Sequence, residues 1–528
     1  MHSTAQRRFQ RLIVIGLLAI SGSARADVLP SQVLVLYNSQ AFEGLALKNY
    51  YMAAHPGIPA ANVYDVADPN FGPIETTYSD FVTKLRNPLR NYLLQAGSPD
   101  PSDIVAICII RPFPHRIMDT TAGDSGDNPS FTYNETIAGD ATNASMDAEL
   151  ALLWQNLDVG EAGGALDSYS DNMIVNPYHK SNLPIGNFSR TNITTTKTFI
   201  NSQVMYPSDP PLCWLLGGSG ATRLTPGDIY LVCRVDGSTL ADAEAEIDRA
   251  RNLVVNKAAV KIILDENNVT DTAHCSQYDD DWLFVDDPSD PFWDKNDFEN
   301  TRDILVANGW NVRYDNAFNF INANEESAPI IGYSSYGEND SGGGCGESAS
   351  YGYIQGFNFA PGASFNTIES YNARAFNTIP TLFNQEQIAD FISSGGTFGV
   401  GNVYEPFSFT IPDNEYLMPN MLVNGLTFAE AAYASMPALS WQQVAVGDPL
   451  AKMTIINDPG LPKGDMNGDG KINGLDIRWF VDVVLNGPDH YRAAFPLLDP
   501  LSRGDFTGDY KVTIADMPGF VNTLLTSP

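Results

Sequence analysis

The sequence predicts an α/β fold, a mostly parallel sheet with helices on both faces, followed by a small all-helical module. Three observations carry this. Several short strands are apolar without interruption, as in Gln32–Tyr37, Ile104–Ile110 and Ile229–Cys233. A strand buried on both faces reads this way, whereas a half-exposed strand alternates. Helical patterns separate these strands, the order expected of crossover connections in a parallel sheet. Beyond a Pro/Gly-punctuated segment at 455–463, two Asp/Asn/Gly loops each lead into an apolar helix.

The elements follow in order. Arg7, Arg8 and Arg11 precede the apolar run Leu12–Ile20 and then Ala24-Arg25-Ala26. This is the pattern of a signal peptide at 1–26, cut after Ala26. The run is too short for an uncleaved anchor, which needs about 20 apolar residues. The expectation is a secreted protein, extracellular or periplasmic, with no membrane span after cleavage. The α/β region is placed at 27–454. It opens with strand Gln32–Tyr37, a helix over Ala41–Ala54 and a strand over Asn62–Val66. Tyr78–Gln95 reads as a helix that Pro88 should kink or divide. Strand Ile104–Ile110 follows, then a polar loop at 120–144. A helix over Ser145–Leu153 has Ser145 as N-cap and Asp147 and Glu149 in its first turn. Ile229–Cys233 is a strand ending before Arg234 and Asp236, and Leu240–Ala250 is a helix. Strand Ala259–Leu264 ends at Asp265, and Thr301–Asn308 continues a helix. Ile330–Tyr333 and Ser364–Ile368 are short strands, Gln385–Ser393 a helix, Gly396–Gly401 a strand and Leu426–Ser435 a helix. The linker is placed at 455–463 and the terminal module at 464–528.

Composition narrows the function. With 528 residues and 43% hydrophobic content, the chain can form two or three packed domains. Its formal charge of −33 argues against binding nucleic acid through phosphates. It suits an exported protein that takes up a cation. Of five cysteines, Cys108, Cys213, Cys233, Cys275 and Cys345, Cys108 and Cys233 sit in apolar strands and read as core residues. The odd count leaves at least one thiol free, and no CxxC occurs.

The C-terminal loops carry the clearest chemistry. Asp465, Asn467, Asp469, Asn473 and Asp476 stand at positions 1, 3, 5, 9 and 12 of the first loop, with Gly470 at position 6. Lys471 at position 7 would contribute its main-chain carbonyl. Ca²⁺ takes six to eight oxygens from a chain that turns sharply halfway, where glycine adopts positive φ. The bland alternative is a surface turn cluster. Against it, the pattern recurs forty residues on, with Asp505, Thr507, Asp509, Lys511, Thr513 and Asp516 at the same positions. There Tyr510 replaces the glycine, so a residue with a side chain must accept that conformation. Asp closes both loops, where calcium sensors use Glu.

These duplicated loop–helix units, Gly464 to Leu525, resemble a type I dockerin, an EF-hand-like calcium-binding module. The resemblance implies Ca²⁺ as cofactor and a cohesin-like protein as partner. Gly474/Leu475 and Ile514/Ala515 match the recognition positions and depart from the Ser/Thr pairs of cellulosomal members. By association such a module also implies polysaccharide catabolism, although no paired carboxylates with that signature can be assigned.

In the α/β region, polar residues gather at predicted strand ends, where open sheets bind ligands. They are Arg111, His115 and Arg116; Arg234 and Asp236; Asp265 and Glu266; Ser334, Tyr336 and Glu338; Glu369 and Ser370; and Tyr404 and Glu405. Strand ends are commonly polar for solvation alone. The segments 330–340, 363–371, 394–402 and 447–450 resemble gingipain-type cysteine peptidases, which have a caspase-like α/β fold. That resemblance covers about the last 120 residues before the linker, within a gingipain-like part at about 255–454. Where the family has His before Gly, this chain has Tyr336-Gly337; where it has the nucleophilic Cys, the chain has Glu369-Ser370-Tyr371. The Cys/His dyad, in which imidazole takes the thiol proton, is therefore absent from its expected places.

The remaining catalytic candidates are Ser370 or Cys345 as nucleophile, His115 as base, and Tyr336. An extracellular hydrolase, a peptidase in the first instance, stays open as the alternative to a non-catalytic domain. Val33–Asn38, Ser145–Leu150, Asn176–Tyr178 and Tyr230–Gly237 also resemble an uncharacterised exported bacterial family. Asp147, Glu149, Arg234 and Asp236 fall in its characteristic stretches. The simpler reading gives them structural work: Asp147 and Glu149 cap a helix and Arg234 pairs with Asp236.

Overall fold

The computed structural model describes residues 27–118, 143–155, 174–189, 202–203, 215–216, 224–266, 297–317, 320–337, 354–376, 388–404, 406 and 410–527. The signal-peptide expectation (1–26) and Cys213, Cys275, Glu338, Cys345 and Glu405 lie outside the described residues. Among the described residues no helix is long and apolar enough to cross a membrane.

The chain is α/β, built on a ten-stranded sheet. In chain order its strands are β1 (Val33–Tyr37), β2 (Val63–Asp65), β3 (Ala106–Ile110), β4 (Leu231–Val235), β5 (Lys261–Asp265), β6 (Val312–Asp315), β7 (Ile330–Ser335), β8 (Phe359–Thr367), β9 (Phe398–Asn402) and β10 (Gln443–Val446). Across the sheet they lie in the order β6-β5-β7-β8-β9-β10-β4-β3-β1-β2. Every neighbouring pair is parallel except β9 and β10, which are antiparallel. Because β10 runs parallel to β4, the halves on either side of the β9–β10 seam run in opposite directions.

The central strands are mostly apolar because both faces are covered. β3 and β4 are buried at every position. Their register sets Cys108 beside Cys233, and both thiols are buried and free. Helices α1 (Gly44–Ala54) and α3 (Leu240–Ala250) pack on this half. α3 starts where Thr239 and Asp242 form a capping box, each side chain bonding the other's main-chain N–H. Ser145 caps the short helix α2 (Met146–Ala151), its Oγ accepting from Ala148 N at 3.0 Å.

Several expectations shift. Arg234 lies inside β4 rather than after it, because Asp147 neutralises its charge there. Pro88 does not divide its helix. Tyr78–Asp80 continues through a π-type turn over Phe81–Arg86 into Asn87–Leu93, and the widened turn accommodates the missing N–H. The 455–463 segment is more than a linker. Ile455 and Ile456 belong to strand Thr454–Ile456, which pairs in parallel with Val254–Asn256.

The terminal module is helical and has its own core. Met466, Phe480, Val483, Tyr491, Val512 and Phe520 are buried together, and the Phe480 and Phe520 rings stack at 4.2 Å. These two phenylalanines are forty residues apart, so the sequence duplication is also a packing duplication. Its principal helices are α4 (Gly474–Asn486) and α5 (Met517–Thr526), the latter entered through a 3₁₀ turn at Ile514–Asp516.

Candidate functional site

The two terminal loops share one internal bonding scheme. In the first, Asp465 Oδ1 accepts from Gly468 N (2.8 Å) and Asp469 N (3.2 Å), and Oδ2 accepts from Gly470 N (2.8 Å). Asp476 closes the loop, accepting from Asn467 N (3.1 Å) and Asn473 N (2.8 Å). Gly470 has φ +81°, as its place at the sharp turn requires. In the second, Asp505 accepts from Gly508 N (2.6 Å) and Tyr510 N (2.8 Å), and Asp516 from Thr507 N and Thr513 N (both 2.8 Å). Tyr510 takes φ +60°, the backbone cost expected of a side chain at that position.

The first and last carboxylates of both loops are buried, and Arg503 Nη1 stands 3.5 Å from Asp465 Oδ2. Burial raises the Asp476 carboxyl above its ordinary range, and the Asp465 charge adds to this. Burial also acts on Asp516, but there hydrogen bonds from Thr513 and Thr507 outweigh it and the net direction is down. Oxygens of Asp505, Asp509 and Asp516 lie within 4.8 Å of one another. An all-oxygen set with converging carboxylates fits a hard divalent cation. Within the loops, Asn467 Oδ1 accepts from Asp469 N at 2.9 Å, Asn473 Oδ1 accepts from Leu475 N at 2.8 Å, and Thr507 Oγ1 donates to Asp516 at 2.9 Å. Lys471 and Lys511 occupy position 7, where the main-chain carbonyl serves.

The strand-end groups of the α/β domain do not form one pocket rim, because the sheet halves run oppositely. Arg111 and Asp236 lie at the end of the β3–β4 half. Arg111 donates to the Gly237 carbonyl and stands 3.8 Å from Asp236 and 3.6 Å from Glu43. Arg234 is fully buried. Its fork donates to Asp147 at 2.9 and 2.5 Å, to Asp236 at 3.2 Å and to the Pro114 carbonyl at 3.0 Å. Burial alone would depress the guanidinium; Asp147, then Asp236, hold it charged. Asp147 thus does more than cap a helix, and Glu149 accepts from the Ser440 hydroxyl.

The loop after β3 turns back and brings His115 and Arg116 to the opposite edge. Arg116 lies over the Tyr404 ring at 5.3 Å and pairs with Glu75. His115 meets the segment that follows Ser370. Its Nε2 is 2.6 Å from the Arg374 carbonyl, and its ring meets Phe376 edge-on at 5.0 Å. A carbonyl only accepts, so Nε2 carries the proton. Burial, with the Arg234 charge, lowers the imidazole to about 3, so it is neutral at pH 7.

At this edge the Tyr336-Gly337 and Glu369-Ser370 loops come together. Gly337 has φ +73°, and a Cβ there would stand 2.3 Å from Glu369 Cγ. Tyr336 is buried and stacked on Phe320 at 4.3 Å, and Ser370 is buried as well. An amide and hydroxyl network surrounds Glu369. Thr367 Oγ1 donates to it at 2.8 Å, Asn372 donates to Thr367 at 3.0 Å, and Asn402 N donates to Asn372 Oδ1 at 2.7 Å. Asn372 and Asn402 escaped the sequence reading; polar amides immediately after apolar strands were the available signal. At the end of β5, Asp265 Oδ2 accepts from Ile321 N at 2.7 Å, while Oδ1 is buried and has no hydrogen-bond partner among the described residues. Burial pushes this carboxyl up to about 7.

No protein-family model and no curated protein matches the chain. Among solved structures it is similar to the crystal structure of the Arg-specific cysteine proteinase gingipain R, with 10% identity and a TM-score of 0.37. That likeness covers 81% of this chain and 80% of the other. It is also similar to a structure described as a protease, with 9% identity, a TM-score of 0.34, and coverage of 80% and 78%.

Proposed function

We propose that this chain is an exported protein whose terminal module binds two Ca²⁺ ions and docks onto a cohesin-like partner. The observation that carries the reading is the duplicated bonding scheme, which turns Asp465 and Asp476, and Asp505 and Asp516, into two oxygen-lined loops. A surface turn cluster has no reason to bury its first and last carboxylates, as both loops do. A docking face is supported by apolar side chains repeated at the same forty-residue offset: Ile477 and Met517, Val481 and Val521, Leu485 and Leu525. All six are exposed, Leu485 at 74% and Leu525 at 81%. A duplicated apolar stripe of this kind on a small module suits a protein partner.

For the α/β domain we propose a binding rather than a hydrolytic role. His115 is buried and lowered to about 3, which makes it a weak base at neutral pH. The place of an imidazole before Gly337 is taken by a stacked tyrosine.

Calorimetric titration of the full chain tests the calcium reading. Two ions bind per chain, and Asp465→Ala with Asp476→Ala leaves one. At a hundredfold excess over Kd each ion adds about 2.7 kcal/mol to the module's stability. A chelator-treated protein that melts as the calcium-treated one does, with no heat of binding, overturns the reading.

A further inference from the structure

The second loop breaks its own pattern at Tyr510, and the structure gives that departure a use. The tyrosine main chain donates to Asp505, the first residue of the loop, at 2.8 Å. Its hydroxyl donates to the main-chain carbonyl of Ser327 in the α/β domain, at 2.5 Å. One residue therefore joins the carboxylate loop to the large domain, in a left-handed conformation that glycine would adopt more readily.

A second anchor lies at the joint. Arg503 forks onto Asp458 at 2.7 and 2.8 Å and donates to the Asp465 carbonyl at 2.6 Å, so it touches the first residue of the first loop. Asn256, at the end of an α/β-domain strand, donates to the Asp458 carbonyl (2.6 Å), Asp499 (3.2 Å) and Ser502 (2.9 Å). Asp458, Asp499 and Arg503 are all buried. Between these contacts lies a cavity of about 820 Å³, lined by Val254, Pro329 and Phe359 on one side and Val483, Pro488 and Val512 on the other. Among the described residues the buried apolar cluster of the module is separate from that of the α/β domain, and specific hydrogen bonds hold the interface at its margins.

We propose that Tyr510 and the Arg503–Asp458–Asn256 network latch the terminal module onto the α/β domain of its own chain, and that a cation in the second loop sets the latch. The proposal rests on the calcium reading. Without a cation, the converging charges of Asp505, Asp509 and Asp516 repel, and the loop spreads at the point where Tyr510 is held. With the cation bound, the loop closes and presents the hydroxyl to Ser327. The stripe containing Ile477, Val481, Leu485, Met517, Val521 and Leu525 stays exposed while the latch is shut. Intramolecular and partner contacts therefore use different surfaces.

The test is cleavage of the 457–463 joint in the full chain by a calcium-independent, broad-specificity protease, in calcium and in chelator, alongside a calcium titration. Calcium slows cleavage of the wild type. Tyr510→Phe keeps the ring and loses about fivefold of that protection, the factor carried by one net hydrogen bond. Tyr510→Gly suits the backbone better, so it keeps the two-ion stoichiometry and yet loses more protection than Tyr510→Phe. Equal cleavage of the wild type in calcium and chelator, or full protection of Tyr510→Gly, overturns the latch while leaving two-ion binding intact. Absence of calcium binding to the wild type overturns the calcium reading and the latch together.

Discussion

Asp265→Asn should stabilise the α/β domain at pH 8 and fail to do so at pH 4. The wild-type carboxyl closes β5 with one oxygen bonded to Ile321 N and the other buried with no partner among the described residues. Burial raises it from 3.8 to about 7, so the folded state holds its proton more tightly than the unfolded state. A raised pKa gives stability that is complete below the unfolded value and is lost as pH rises through the folded one. Here the loss falls between pH 4 and pH 7, at about 1.4 kcal/mol for each pH unit, or about 4 kcal/mol in all. Asparagine is neutral throughout and can still accept from Ile321. Its amide group, set where an oxygen now stands unpartnered, costs about 1–3 kcal/mol. The variant should therefore gain about 1–3 kcal/mol at pH 8 and lose about as much at pH 4. Guanidinium denaturation of both proteins at the two pH values measures this. A variant less stable by the same amount at both would refute the reasoning, because the carboxyl would then carry no pH-linked cost.

Arg234→Met leaves Asp147 buried without its cation and Asp236 with only Arg111 nearby, and should cost about 3–5 kcal/mol in denaturant unfolding. Adding Asp147→Leu should recover most of that loss; no recovery would mean that the side chain matters for shape rather than charge. A serine-directed covalent probe should leave Ser370 unlabelled. Labelling that Ser370→Ala abolishes would instead establish a nucleophile and return the domain to the hydrolases.

Local patterns were legible, and relations between distant segments were not. The loop ligands could be read because their spacing lies within twelve residues and each has a chemical reason. The apolar strands β3 and β4 were equally plain. Arg234 looks like a strand terminator in the sequence; Asp147, eighty-seven positions away, does most to make a charge tolerable inside β4, with Asp236 beside it. β8 begins at Phe359, earlier than expected, since Ala360-Pro361-Gly362 hides a strand start among turn residues. The 455–463 segment read as a linker because its strand partner, Val254–Asn256, is two hundred positions upstream. The opposed sheet halves were invisible for the same reason. Without them, strand-end residues such as Arg111 and Glu369 could be mistaken for one rim. Tyr510 was visible as an anomaly, but its partner Ser327 could be found only in three dimensions.

The seam between β9 and β10 also sets an order of assembly. The half containing β1, β2, β3 and β4 can pair as soon as β4 has been made, yet its far edge has no neighbour until β10 arrives. That wait spans about two hundred residues, roughly 10–40 s at ~5–20 residues per second. Over that interval β4 offers an unpaired edge, apolar but for Arg234, the kind of template on which chains cross-associate. A chain cut short before Gln443 would keep that edge permanently, and with it an open edge on β9. The four residues of β10 thus act as a late keystone, and the early half needs a chaperone's cover or a delayed collapse until they appear.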